Sequence, residues 1–225
     1  KMVDTRKTPK DQSNITKMVL TNSKGKQRTN IVRSKSMDGN KKQIMWFMEP
    51  KDDKGVAFLK IENDGKDDEM RMWLPAFKKV RRISSKKKSD SFMGSDMSYE
   101  DMTNRELDEN TYKLLREEIY NEQNCYVLEI TPLPILNTAY SNHIAWISKD
   151  NLILIKEESF DKTGKLFKQK SLEYIKIKGY NTLNKMIVRN TQKIHKTIIK
   201  FNNIELDSGV KKSLFQEKNL KRMPR

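Results

Sequence analysis

The stretch Lys42-Gln43-Ile44-Met45-Trp46-Phe47-Met48 decides the fold. On an extended strand Ile44, Trp46 and Met48 fall on one side, Met45 and Phe47 on the other, so both faces are apolar. A strand of that kind belongs in the middle of a sheet, with something covering each side. Turn residues bracket it: Asp38-Gly39-Asn40 comes before, and the polar break from Pro50 to Lys54 comes after.

The same pattern continues in both directions. Downstream, Gly55–Ile61 reads as a strand, Asn63-Asp64-Gly65-Lys66 as a turn, and Met70–Leu74 as another strand. That strand stops at Pro75, which cannot donate to a ladder. Upstream, Asn14–Leu20 alternates Thr16, Met18 and Leu20 against Ile15, Lys17 and Val19, and the turn Asn22–Lys26 leads into Gln27–Lys35, so the two runs form a hairpin. Strands resume at Tyr112–Tyr120, Cys125–Thr131, Tyr140–Ser148, Leu152–Phe160, Leu166–Lys178, Leu183–Arg189 and Thr197–Leu206. Most of their junctions carry turn residues, such as Asp161-Lys162-Thr163-Gly164.

The segment from Lys78 to about Asn110 breaks the pattern. It is rich in Ser, Lys, Asp and Met and predicts an irregular excursion, with Ser95-Asp96 or Ser98 capping a short helix through Tyr99–Met102. Long irregular insertions of this kind are often functional. With no repeat, linker or composition break, residues 1–225 read as a single domain. These strand runs are more than most open sheets carry without curling, so the sheet should curl around something. Helical segments from the excursion, from the N-terminus or from Val210–Leu220 are the coverings to expect.

Charge narrows the partners. Lys+Arg number 46 against Asp+Glu 30, a net +16, which attracts nucleic acid, anionic lipid head groups or acidic proteins. The excess is spread along the chain without a basic helix or an aromatic-studded basic strand, which speaks against nucleic acid. Lysine on solvent-facing strand positions and sheet edges accounts for much of it. The runs Arg81-Arg82 and Lys86-Lys87-Lys88 are the places that would touch an anionic membrane surface. The one cysteine, Cys125, beside Tyr126-Val127-Leu128, reads as a small buried hydrophobe. No apolar run is long enough to span a bilayer as a helix. The sequence opens Lys1-Met2-Val3-Asp4 with no apolar signal segment; an upstream piece, a signal peptide or another, is expected to be missing, which leaves the compartment open.

Nothing in the residues points to catalysis. His143 and His195 are isolated and lack metal-ligand spacing. Phosphate, dinucleotide and nucleophile-elbow motifs do not occur. Asp67-Asp68-Glu69 and Glu100-Asp101 fit turn and capping roles better than acid–base work. The reading is of a non-enzyme with no cofactor and no metal.

Three segments together carry a resemblance: Glu49–Leu59, Trp73–Ile83 and Ser91–Met102. In this order and spacing they resemble the outer-membrane lipoprotein-sorting proteins of the LolA-like group. The third is the most distinctive, since β periodicity would not produce its mixture of Gly, Ser, Asp, Tyr and Glu. The resemblance implies a mainly β fold: a curled antiparallel sheet forming a half-open β-barrel, with a few short helices over its concave face. It further implies a periplasmic or outer-membrane-associated carrier for lipid or lipoprotein acyl chains, working with a membrane transporter. One departure is plain: this chain starts almost at its first strand, where the family has a helix.

On that reading Trp46, Phe58, Trp73, Leu74, Phe92, Met93 and Trp146 are the cavity wall, and the 12 methionines suit a wall that adapts to variable chains. Aromatics and methionines on strands are more often ordinary core than ligand wall, and core packing explains the same residues. Arg81 and Arg82 with Tyr99, Glu100 and Asp101 either lock the excursion onto the sheet or mark the cavity mouth for an anionic head group. Two other functions compete with the carrier: a β-rich accessory module that docks on a transporter without enclosing a ligand, and a nucleic-acid binder.

Overall fold

The computed structural model describes residues 7–63 and 68–222. The predicted turn at Asn63–Lys66, beyond Asn63 itself, lies outside the described residues, and so does Asp67. Alternation of side chains across extended backbone, interrupted by turn residues, yields thirteen strands. They are β1 (Asp11–Thr21), β2 (Gln27–Met37), β3 (Lys42–Glu49), β4 (Ala57–Ile61), β5 (Glu69–Leu74), β6 (Lys79–Arg82) and β7 (Asn110–Tyr120). The chain continues with β8 (Gln123–Pro132), β9 (Tyr140–Ser148), β10 (Leu154–Asp161), β11 (Leu166–Ile177), β12 (Tyr180–Asn190) and β13 (His195–Leu206). A single turn of α-helix, α1 (Glu217–Leu220), and several 3-10 turns complete it.

The strands pair in the order β6-β5-β4-β3-β2-β1-β13-β12-β11-β10-β9-β8-β7, an unclosed sheet whose edges are β6 and β7. The mainly β class with few short helices is the one the sequence predicts. The strand it misses is β6. Lys79-Val80-Arg81-Arg82 has one apolar residue and no alternation to read. Pairing with β5, Trp73 opposite Val80 and Leu74 opposite Lys79, makes it a strand. The hairpin turns through Pro75–Phe77, closed by Lys78 in left-handed backbone.

By its contacts the chain resolves into two compact units, with β1, β2 and β13 contributing residues to both. One unit comprises Thr8–Val19, Arg28–Lys88 and Ile199 onward. Its core is one face of β3 and β4, where Ile44, Trp46, Ala57 and Leu59 pack with Phe215 and Leu220 from the C-terminal segment. Val210–Leu220 is therefore a covering element of the kind expected, although only its last residues are helical. Asp11 ties this segment down, accepting from the Ser208 amide and hydroxyl at 2.8 Å each and from Gly209 N–H at 3.0 Å.

The other unit is built from Leu20–Gln27 and Ser89–Ile198. It holds two apolar clusters. Cys125, Val127, Trp146, Ile153 and Ile155 form one; Ile130, Ala145 and Ile147 form the other. Ala145 and Ile147 alternate with Trp146 along β9, so the two clusters take opposite faces of that strand.

Candidate ligand-binding site

In the first unit the cross-strand register decides which predicted wall residues share a face. Trp46 stands opposite Ala57, and Ala57 opposite Trp73, so Trp46 and Trp73 lie together. Their face is the one closed by Phe215 and Leu220, and Trp46 Nε1 donates to the Asn219 carbonyl at 3.2 Å. Lys221 Nζ sits 5.0 Å from the Trp73 ring centroid. Phe58 stands opposite Met45 on one side and Met72 on the other, on the reverse face of the sheet. Leu74 joins it there, alternating with Trp73. Phe47, opposite Val32, is on this face as well. The four predicted residues of this unit are thus split two and two. Trp46 and Trp73 face the C-terminal cover; Phe58 and Leu74 face the methionine-rich side with Met45, Phe47, Met70 and Met72.

In the second unit Phe92 and Met93 belong to a strap, residues 89–105, folded on itself before it reaches the sheet. Ser91 bridges Ser98, Phe92 N–H donates to the Met97 carbonyl at 2.7 Å, and Ser95 Oγ donates to the Phe92 carbonyl at 2.7 Å. Phe92 and Tyr99 meet edge to face, 5.7 Å apart, and both are buried. Met93 and Gly94 take positive φ at the turn. Trp146 is elsewhere, in the Cys125–Val127 cluster, its Nε1 donating to Glu118 and Lys156 Nζ lying 3.8 Å from its ring centroid.

The strap meets the sheet of its own unit through buried charge. Ser98 and Asp101 first bond reciprocally, as in a capping box, fixing the Asp101 carboxylate. That carboxylate then accepts from Lys168 Nζ at 2.6 Å, Lys170 Nζ at 2.8 Å and the Tyr140 hydroxyl at 3.0 Å. Lys170 Nζ reaches Glu157 at 3.1 Å, and Glu157 is bound on its other oxygen by Arg105 at 2.7 Å. His143 Nδ1 lies 2.8 Å from Ser159 Oγ. Glu100 accepts from the Thr138 hydroxyl and from Ala139 N–H at 3.2 Å. Asp96 accepts from Thr197 Oγ1 at 2.7 Å and sits 2.7 Å from His195 Nδ1.

Burial and pairing oppose each other here, and pairing wins for the acids. Burial pushes the Asp101 carboxyl up, but the charges of Lys170 and Lys168 hold it well below the usual carboxylate range. Glu157 is lowered in the same way, with Arg105 and Lys170 overcoming its burial. Burial, and then the Arg105 charge, push the His143 imidazole down to about 3, so it is neutral at ordinary pH. Lysine responds differently by position: burial lowers Lys168, whereas Asp101 and Glu157 together raise Lys170 against its burial.

Of the five residues predicted for the network, Glu100 and Asp101 fasten the strap, and Tyr99 packs inside it on Phe92. Arg81 and Arg82 take no part in it; they are exposed on β6. Arg105, Tyr140, Glu157, Lys168 and Lys170 escape sequence reading as a group. The available signal is the hairpin at Asp161–Lys165, which sets Lys170 opposite Glu157 and Lys168 opposite Ser159. Among the described residues no cluster of His, Cys, Asp and Glu is arranged to hold a metal ion. No helix among them is long and apolar enough to cross a membrane.

A family model described as "Uncharacterized protein" matches residues 39–222. No curated protein matches the chain at a significant level. Among solved structures, a DUF1329 family protein from Desulfovibrio piger is 32% identical with a TM-score of 0.90, over 97% of this chain and 95% of that one. A domain named for outer membrane lipoprotein sorting, from Vibrio parahaemolyticus, is 30% identical with a TM-score of 0.88, over 94% and 92%. The LolA superfamily protein NE2245 from Nitrosomonas europaea shares the fold at a TM-score of 0.76 and 17% identity, over 96% and 94%.

Proposed function

Because the chain belongs to the outer membrane lipoprotein-sorting proteins of the DUF1329 family, we propose that it carries acyl chains of lipids or lipoproteins across the periplasm, handing them between membranes or transporters. The observation that supports this reading is the second apolar face of β3–β5. A sheet needs one apolar face to pack a core, and the Trp46 face with its C-terminal cover already serves. The reverse face repeats the investment with Met45, Phe47, Phe58, Met70, Met72 and Leu74. Unbranched, polarizable methionine side chains repack around guests of different shape. Each methylene removed from water there contributes about 0.8 kcal/mol, so one or two chains give useful affinity.

The test is uptake of a hydrophobic fluorescent probe by delipidated protein and its displacement by added fatty acid. Met72→Gln, on the reverse face, should weaken uptake, whereas Phe215→Ala, on the covered face, should lower stability and leave uptake by folded protein intact. Failure of the wild type to take up either probe or fatty acid would sink the carrier reading.

One observation favours a second reading, an interaction module. Edge strand β7 is eleven residues long and exposes Leu114, Leu115 and Ile119. It is far longer than the basic edge β6, and its charges Lys113, Arg116, Glu117 and Glu118 and a register shift at Leu114–Arg116 leave the Ile119 end as the place for another chain to pair. On that reading Ile119→Lys would abolish capture of a partner and change no lipid binding.

A further inference from the structure

We propose that the β5–β6 hairpin is a membrane-docking element, which seats the protein on an anionic lipid bilayer by a basic strip around one inserted phenylalanine. The inference rests on the carrier reading only in giving the docked protein something to deliver.

The argument begins with sequence. Between Glu69 and Asp90 there is no acidic residue, while from Lys78 onward Lys78, Lys79, Arg81, Arg82, Lys86, Lys87 and Lys88 supply seven positive charges. Elsewhere in the chain lysines are interleaved with acids, and many are paired, as Lys185 is with Glu173 and Lys149 with Glu117. Among these seven, and among the described residues, one ion pair is made, Lys88 to Asp68 at 3.1 Å, while Arg71, opposite Arg82 on β5, is paired with Glu69 and Glu217. Lys78, Lys79, Arg81, Arg82 and Lys86 are all exposed.

The apolar part stands at the hairpin tip. Phe77 is 70% exposed, next to an exposed Ala76. The backbone holds it there. Pro75 fixes the start of the 3-10 turn, and Lys78 at φ 49° closes it with its N–H on the Pro75 carbonyl at 3.1 Å. The turn rests on the Pro50–Gly55 loop, for a Cβ on Gly55 would lie 3.6 Å from Pro75 Cγ. Below the tip, Val80 packs toward Trp73 in the covered core. An aromatic ring presented by a rigid turn, and followed by a run of exposed cations with no acid among them in sequence, matches the interface of an anionic bilayer. The ring enters the head-group boundary, the lysine and arginine stems lie along it, and their charges stay with the phosphates. Nucleic acid would use the cations but would leave a single exposed ring at a hairpin tip with little to stack on.

The experiment is co-sedimentation of the full chain with vesicles of phosphatidylcholine, alone or with about one third phosphatidylglycerol, at low and physiological salt. We expect binding to the anionic vesicles only. Each cation near such a surface strengthens partitioning roughly fivefold, so R81Q/R82Q should lower it about 20- to 30-fold. F77A should lower it on the order of tenfold, and this loss should persist when salt is raised. The control K24Q/K26Q removes the same net charge from another exposed turn and should change binding little. Equal losses in the control and in R81Q/R82Q, or no effect of F77A, would overturn the proposal. So would duplex DNA binding that depends on Arg81 and Arg82 when vesicle binding does not. Probe uptake in vesicle-free solution separates the two claims: a wild type that takes up probe but does not dock overturns the docking proposal alone, and one that docks but takes up no probe overturns the carrier reading alone.

Discussion

Asp101→Asn removes one charge and almost no volume, and it isolates what holds the strap. The side chain is 1% exposed, between Lys168 and Lys170 side chains that are 4% and 9% exposed. An amide keeps one acceptor oxygen but presents Nδ2 to a lysine ammonium or to the Tyr140 hydroxyl, so at least one buried donor loses its acceptor. Breaking a buried pair from one side costs about 3–5 kcal/mol, because the partner charges remain desolvated. With a urea dependence of roughly 2–3 kcal/mol/M for a chain of this size, the unfolding midpoint should fall by about 1–2 M. Lys168→Met in the D101N background should then cost much less than in the wild type, giving a coupling of about 0.5–3 kcal/mol. Amide exchange supplies the local readout: protection of Ser98, Met102 and Thr103 should drop before that of β9–β11. A midpoint within roughly 0.2 M of the wild type, the size of an ordinary surface change, would refute the claim that this cluster fastens the strap.

Three further outcomes follow from the same geometry. His143 is held neutral, its pKa lowered from 6.5 to about 3, so its contribution is complete above pH 6.5 and is lost as pH falls toward 3. Wild-type stability should drop by about 2 kcal/mol between pH 7 and 5, a drop that His143→Phe should remove, as urea titrations at the two pH values would reveal. Phe215→Ala, opening the cover over Trp46, should cost about 3–5 kcal/mol by thermal or urea unfolding, and a loss under 1 kcal/mol would mean the C-terminal segment is not part of the core. Cys125 is fully buried and its thiol is pushed up, chiefly by that burial, so a thiol reagent should label it only as the protein unfolds.

Most strands could be read because each hairpin names its own turn. Asn22 shows how: its Oδ1 accepts from the Lys24 and Lys26 amides, each at 3.0 Å, so the side chain that marks the turn in sequence also builds it. β6 could not be read, since its strand character comes wholly from its partner. The site divides along the same line. Tyr99, Glu100 and Asp101 stood out by their composition, but the Asp101 partners Tyr140, Lys168 and Lys170 are distant in sequence, and only the long-range register brings them near. Alternation likewise puts Trp46 and Met45 on opposite faces of β3, yet it cannot say that Phe58 joins Met45 and not Trp46. That depends on pairing Met45 with Phe58 across the β3–β4 turn, where a shift by one residue would reverse the answer.

Net charge is the quantity that composition states most simply, and the structure changes what it means. Lys60, Lys168 and Lys170 are all buried; each has an acid at its ammonium, and none can meet a partner. They cost desolvation and return a fixed geometry, since a strap held by directional bonds between charges has one seat, whereas an apolar strap can slide. Lys78, Lys79, Arg81, Arg82 and Lys86 are the reverse case: exposed, with no acid among them in sequence, and free to exchange water for phosphate. A chain-wide +16 therefore joins a buried, neutralised population to an exposed one, and only the second acts at a distance. Two neutralisations on β6 should thus alter the salt dependence of vesicle binding more than the same two removed at Lys24 and Lys26, though both leave the chain at the same net charge.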